Sequence, residues 1–378
     1  MAIMTGLSGN EMYCLHLKGF EPGELVIGNS VYSMGFVGTL GAGLQTIAGG
    51  EVTQVTEIIQ EGRLSALERM IREAERHQGV GITGVSSELI WQAGNIEFLS
   101  IGSSIHHEGQ RVEKLAFSSS ADGQELYCQL DAGFMPVRFV FGNVAYSIGL
   151  GGGIVGGFRS LARGEVREFS DVFNETRHRA LWRITEEARH AGANAVLGIR
   201  TSILPIAGMQ EMIMVGTASR HAGLPPESFN SPITSDLTNE EMWNVVHLGF
   251  MPVQLVLGVS VYSLGFVGGL TSAFRSLVRG EIPQMSTLIY EARDNALHRI
   301  KADAELLGAD DVVGIKTYVY ELGSGLIEFM AIGTAVKRMP GISTLTPTLP
   351  PQAVIKDKDT FVNVAETMRG TNLNESKR

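Results

Sequence analysis

Three stretches of this chain carry apolar residues at steps of three, four and seven. Val52, Val55, Ile59, Ala66, Met70 and Ala74 form the first stripe. Val166, Phe169, Phe173, Ala180, Ile184 and Ala188 form the second, and Ile282, Met285, Ile289, Ala296, Ile300 and Ala304 the third. This spacing predicts a long helix with one face laid on a sheet. Each helix opens after a Gly-Glu pair, at Gly50-Glu51, Gly164-Glu165 and Gly280-Glu281. The glycine lets the backbone turn, and the carboxylate complements the helix dipole. The helices end near His77, Ala191 and Leu307. Gly192 and Gly308 then stand where a left-handed cap is needed, whereas the first copy runs Gln78-Gly79-Val80-Gly81.

Two strands are predicted after each helix. They are Gly81–Trp91 with Ile96–Ser104, Ala195–Leu204 with Glu211–Ser219, and Asp311–Glu321 with Ile327–Val336. Short Gly-containing turns join them. A further strand precedes each helix, from Leu25 through Tyr32 and from near Val137 and Val253. Ahead of it, Tyr13–Phe20, Tyr127–Phe134 and Trp243–Phe250 read as a short extra strand.

The whole pattern occurs three times, at steps of 114 and 116 residues, with a shared skeleton of Gly, Tyr-Ser-x-Gly, a Gly-rich run and Gly-Glu. A period of this size marks tandem small domains. The predicted fold class is α+β, with three tandem β-α-β-β domains. Each is a small antiparallel sheet packed on one long helix, with an extra short N-terminal strand. The domains are expected at 11–106, 124–220 and 241–338, with 339–378 a largely disordered tail. The polar, Ser- and Pro-rich joins, His107–Gly123 and His221–Glu240, read as surface connections.

Composition narrows the function. The net charge of −10 and pI near 5.5 argue against a nucleic-acid partner. The two cysteines, Cys14 and Cys128, occupy the same position in successive repeats. They read as reduced thiols of a cytoplasmic protein. The start of the chain shows no secretory signal pattern. The uncharged stretches 25–50 and 248–274 are long enough to span a bilayer. Their many Gly, Ser, Asn and Thr residues fit a buried strand and turn better, so membrane association is a minor alternative.

Ala188-Arg189-x-x-Gly192-Ala193-Asn194-Ala195-Val196-x-Gly198-Ile199-Arg200 resembles the second half of the YbjQ-like proteins, a small bacterial family labelled heavy-metal-binding. Leu307-Gly308-Ala309-Asp310-Asp311-Val312-Val313-Gly314-Ile315 is similar. Val215-Gly216-Thr217-Ala218 and Ile332-Gly333-Thr334-Ala335-Val336 look like that family's closing strand. The resemblance spans all three repeats. It implies a fold like the dodecin subunit and assembly with copies of itself into a pentameric ring. Three domains per chain do not divide evenly into five.

Two kinds of chemistry compete with assembly. A metal site would draw on Cys14, Cys128 and His16, because residues two apart on a strand share a face; the cofactor would be a transition metal such as zinc or copper. No histidine is common to the three repeats, and no CxxC or HxxxH occurs. A catalytic site would pair the shared tyrosines with the shared helix carboxylates of Glu61-x-Arg63, Glu175-x-Arg177 and Glu291-x-Arg293. The plainer reading is ion pairing along the helix, as in Arg69 with Glu73, Arg183 with Glu187 and Arg299 with Asp303. With it goes an Arg–carboxylate contact between neighbouring domains. The expected role is therefore a non-enzymatic, ring-forming structural or binding protein. Its candidate assembly residues are Tyr32, Gly35, Tyr146, Gly149, Tyr262, Gly265, Arg63, Arg177 and Arg293.

Overall fold

A computed structural model describes residues 2–33, 50–92, 95–107, 112–147, 164–206, 209–263, 283–323 and 326–355. The fold is α+β and threefold repeated. Unit 1 contains β1 (Phe20–Ser33), α2 (Thr53–Arg76), β3 (Gly81–Gln92) and β4 (Asn95–His107). Unit 2 has β6 (Met135–Ser147), α4 (Arg167–His190), β8 (Ala195–Ile206) and β9 (Met209–Arg220). Unit 3 has β11 (Phe250–Ser263), α6 (Pro283–Leu306), β12 (Asp311–Gly323) and β13 (Leu326–Arg338). In each unit the last strand lies central, antiparallel to both the first strand and the strand after the helix.

Helix and sheet meet very closely at the first glycine of the skeleton. A Cβ on Gly28, Gly142 or Gly258 would lie 2.1, 2.2 or 2.3 Å from the carbonyl oxygen of Ala66, Ala180 or Ala296. Only a missing side chain lets the helix backbone cross the strand there. The alanines opposite are themselves buried. Gly192 and Gly308 close their helices at φ +67° and +62°, whereas the first repeat places Gln78 at φ 58°.

The expected extra strand is a helix in every unit. These are α1 (Gly9–His16), α3 (Gly123–Asp131) and α5 (Asn239–His247). Each opens on a capping box: Ser8 with Glu11, Asp122 with Glu125, and Thr238 with Glu241. The reciprocal side-chain and backbone bonds satisfy the free N–H groups of the first turn and favour a helix.

The joins are not plain surface connections. Phe117–Ser118 (β5) runs parallel to Gly81–Ile82, and Ile233–Thr234 (β10) runs parallel to Ala195–Val196. Ser119, Ser120, Ser235 and Asp236 are buried because their polar atoms meet Thr217 or Thr334. The tail is also ordered from Met339 to Ile355. Its short helix α7 (Pro351–Val354) buries Ala353, and Leu345 N–H donates to the Asp131 carbonyl at 2.8 Å. Residues 356–378, and with them the rest of the expected tail, lie outside the described residues.

Candidate functional site

Buried polar contacts cross the places where one unit meets the next. Along β6, Phe139, Phe141 and Ala145 point at unit 1, while Val140, Val144 and Tyr146 point at their own helix. Along β11, Leu255, Leu257, Val259 and Val261 pack into the core of unit 2. Each sheet after the first is therefore apolar on both faces. One face holds its own helix and the other holds the helix of the unit before it.

A buried ion pair crosses each of these seams. Arg63 of α2 reaches Glu211 of β9 in a bidentate pair, Nε to Oε1 at 3.2 Å and Nη2 to Oε2 at 2.7 Å. Its Nη1 donates to Ser87 at 2.9 Å (carbonyl) and 3.1 Å (Oγ). One unit later, Arg177 of α4 reaches Glu328 of β13, Nε to Oε1 at 3.1 Å and Nη2 to Oε2 at 2.8 Å. All four side chains are fully buried. Arg177 also donates to the Tyr146 hydroxyl at 2.7 Å and lies over that ring at 4.4 Å. Burial alone would lower the Arg177 value, but Glu328 beside it more than offsets this and holds it above the ordinary arginine range.

Backbone pairing closes the same seams. Gly50–Glu51 (β2) adds to β6 opposite Ser147 and Tyr146, and Gly164–Glu165 (β7) adds to β11 opposite Ser263 and Tyr262. The Ala145 N–H donates to Thr56 Oγ1 at 2.9 Å, and the Val261 N–H to Ser170 Oγ at 2.8 Å. Glu51 then accepts from Arg183 at 2.6 Å and Arg179 at 2.9 Å. Burial would raise the Glu51 carboxyl, yet these bonds leave it below the usual carboxylate value. At the next seam Arg299 reaches Asp171 at 3.0 Å and Glu165 at 3.7 Å.

Several sequence expectations change here. The predicted pairs of Arg69 with Glu73, Arg183 with Glu187 and Arg299 with Asp303 are not made. Arg69 and Arg183 bond the Asn29 and Asn143 carbonyls instead, and the Ile27 N–H takes Glu73 at 2.6 Å. These side chains reach strands and neighbouring units, which lie closer to their heads than the next helical turn. Tyr32 packs edge-on against Phe98. Tyr146 and Tyr262 are buried. Arg293, counterpart of Arg63 and Arg177, is exposed. Gly35, Gly149 and Gly265 lie outside the described residues. The partner carboxylates Glu211 and Glu328 were not singled out from the sequence. The available signal was a glutamate at one place in every closing strand, at Glu97, Glu211 and Glu328.

A tyrosine–carboxylate catalytic pair does not suit this geometry. Burial pushes the Tyr146 and Tyr262 hydroxyls above the ordinary tyrosine value, for Tyr146 despite the Arg177 charge beside it. A general base needs the opposite tuning. Clefts at the two seams, of about 520 and 240 Å³, carry Arg200 and Lys316. Both cations are engaged within the protein, Arg200 with the Ser120 carbonyl and Lys316 with Asp236 at 3.2 Å.

The metal candidates separate. Cys14 and Cys128 are buried in one apolar cluster with Phe134, Trp243 and Ala353. His16 is exposed, because two residues along a helix turn a side chain to the far side rather than to the same face. Burial pushes the Cys128 thiol up, and Glu240 nearby adds to the shift, whereas a metal needs the thiolate. Among the described residues no group of three or more His, Cys, Asp or Glu side chains is placed to hold a metal ion. These residues do not fit a bound metal. Among the same residues no helix is long and apolar enough to cross a membrane.

A family model described as "Putative heavy-metal-binding", that of the YbjQ family, matches residues 20–102, 135–222 and 251–339. The chain belongs to the YbjQ family. Its three matches fall on the three structural units. The Encapsulin nanocompartment protein Rv1762c of Mycobacterium tuberculosis is 34% identical over 233 residues, covering 58% of this chain and 86% of that protein. A UPF0145 protein of Pseudothermotoga lettingae is 42% identical over 83 residues, covering 22% of this chain and 78% of that protein. Another, from Sulfurisphaera tokodaii, is 42% identical over 82 residues, covering 22% and 72%. The single-domain relatives thus correspond to one YbjQ repeat of this chain.

Proposed function

We propose that this YbjQ protein is a non-enzymatic, self-assembling structural protein that forms a closed ring from copies of its own chain. The observation that carries this reading is the seam itself. The same elements join units 1 and 2 as join units 2 and 3, each time around a fully buried arginine–glutamate pair. Such a pair is costly to desolvate, and in this reading its role is to fix the register of one unit on the next. The repeat is therefore a part made to fit its own kind. The name of the Mycobacterium tuberculosis relative refers to a nanocompartment, which accords with a role in a larger assembly. In this reading the chain acts in the cytoplasm, with itself as principal partner. Negative-stain electron microscopy tests the reading. Ring-shaped particles larger than one chain are expected, and a homogeneous population of single-chain particles would remove it.

A further inference from the structure

The two ends of the chain carry the unmatched halves of the seam that joins its units. At the C-terminal end, Arg293 takes the place of Arg63 and Arg177 on the helix, but it is exposed and makes no ion pair or hydrogen bond among the described residues. Leu297, counterpart of the buried Leu67 and Leu181, is 37% exposed. Ile315, counterpart of the buried Val85 and Ile199, is 47% exposed. Among the described residues no strand covers the edge of β12, whereas β5 covers β3 and β10 covers β8.

The N-terminal end shows the complement. Glu97 takes the place of Glu211 and Glu328 on the central strand. It is half-buried and accepts from Asn29 at 3.1 Å, and among the described residues it has no ion-pair partner. On the outer face of β1, Ile27 and Val31 are 46% and 60% exposed, while their counterparts Phe141, Ala145, Leu257 and Val261 are buried. Arg69, counterpart of Arg183 and Arg299, has no carboxylate opposite it among the described residues. Ile3 and Met4 stand where Phe117–Ser118 and Ile233–Thr234 stand in the joins, and both are exposed. The Met4 carbonyl already accepts from Leu25 N–H at 2.7 Å, as the Ser118 and Thr234 hydroxyls accept from Phe139 and Leu255.

We infer that unit 3 of one chain docks on unit 1 of a second copy, repeating the internal seam with Arg293 paired to Glu97 of that copy. Ile3 and Met4 of the second copy then add in parallel to the open edge of β12, as β10 adds to β8. The occupant is a second copy rather than another partner for two reasons. Arg293, the exposed apolar side chains and the edge of β12 each have a complement at the opposite end of the same chain, and the contact is already built twice within the chain. Such a head-to-tail contact closes into a ring when the rotation permits. The inference rests on the assembly reading above and specifies the joint that reading needs.

Charge exchange tests the joint in the full chain. Sedimentation would be measured for the wild type, Arg293→Glu, Glu97→Arg and the double variant carrying both. Each single change places like charges across the joint and should weaken assembly by roughly a hundredfold or more. The double variant restores opposite charges and should recover most of the wild-type assembly, which a folding defect would not do. Assembly unaffected by both single changes, or lost in the singles and not recovered in the double, would overturn the joint while leaving the assembly reading standing. A wild-type chain that sediments as a single copy at every concentration would overturn both.

Discussion

Arg177 shows how much one side chain carries. Removing it leaves Glu328 buried without its counter-charge, so Arg177→Ala should cost about 3–5 kcal/mol in urea unfolding. Replacing both partners by methionine should recover most of that loss; an Arg177→Ala variant as stable as the wild type would contradict the seam described here. Asp131 is another buried charge, held by Lys18 at 2.7 Å, Trp243 at 2.8 Å and Thr346 at 2.7 Å. Burial would raise its carboxyl, but these donors more than offset burial and lower it. A lowered folded value contributes stability above the unfolded value near pH ~4, and that contribution is lost as pH falls through the folded value. Asp131→Asn should thus destabilise by about 2 kcal/mol at neutral pH, with the gap closing below about pH 4 in a thermal-melt series. For the cysteines, the Cys14→Ser/Cys128→Ser protein should carry the same metal content as the wild type by elemental analysis. A stoichiometric loss of zinc or copper would restore the metal reading. The recurring arginines were legible in the sequence because they repeat. Their different fates were not, since Arg63, Arg177 and Arg293 differ only in whether another unit follows.

The long helices and hairpins were legible because their periods are clear and their lengths ordinary. The short helices were not, since eight or nine residues with mixed polarity mimic a strand. Their capping pattern, Ser8-x-x-Glu11 and its copies, was the stronger signal. The joins misled for a related reason. Serine-rich segments read as solvated, but here their hydroxyls pair with Thr217 and Thr334 and can be buried. Helix closure yields a direct test. Gln78 occupies a left-handed backbone at φ 58° where the sister repeats have glycine. Gln78→Gly should stabilise the protein by about 1 kcal/mol in chemical denaturation; a loss of stability would contradict that assignment. Gly142→Val tests the close crossing from the other side, because its Cβ would meet the Ala180 carbonyl oxygen at 2.2 Å. It should sharply lower the unfolding midpoint, whereas an unchanged midpoint would show that the helix can shift away.

For the molecule as a whole, the repeat explains both what is finished and what is open. Each of the two internal seams buries a helix face, a sheet face and a charge pair, and among the described residues nothing covers the same surfaces of the third unit and the first. Sequence repetition alone pointed to three domains; it did not reveal that each domain is completed by the next one. That follows from β2 and β7 crossing into the sheet of the following unit. The most direct test is native mass spectrometry of the intact 40.8 kDa chain. A discrete species at a whole-number multiple of the chain mass is the predicted result. A spectrum dominated by the single chain across the accessible concentrations would contradict it.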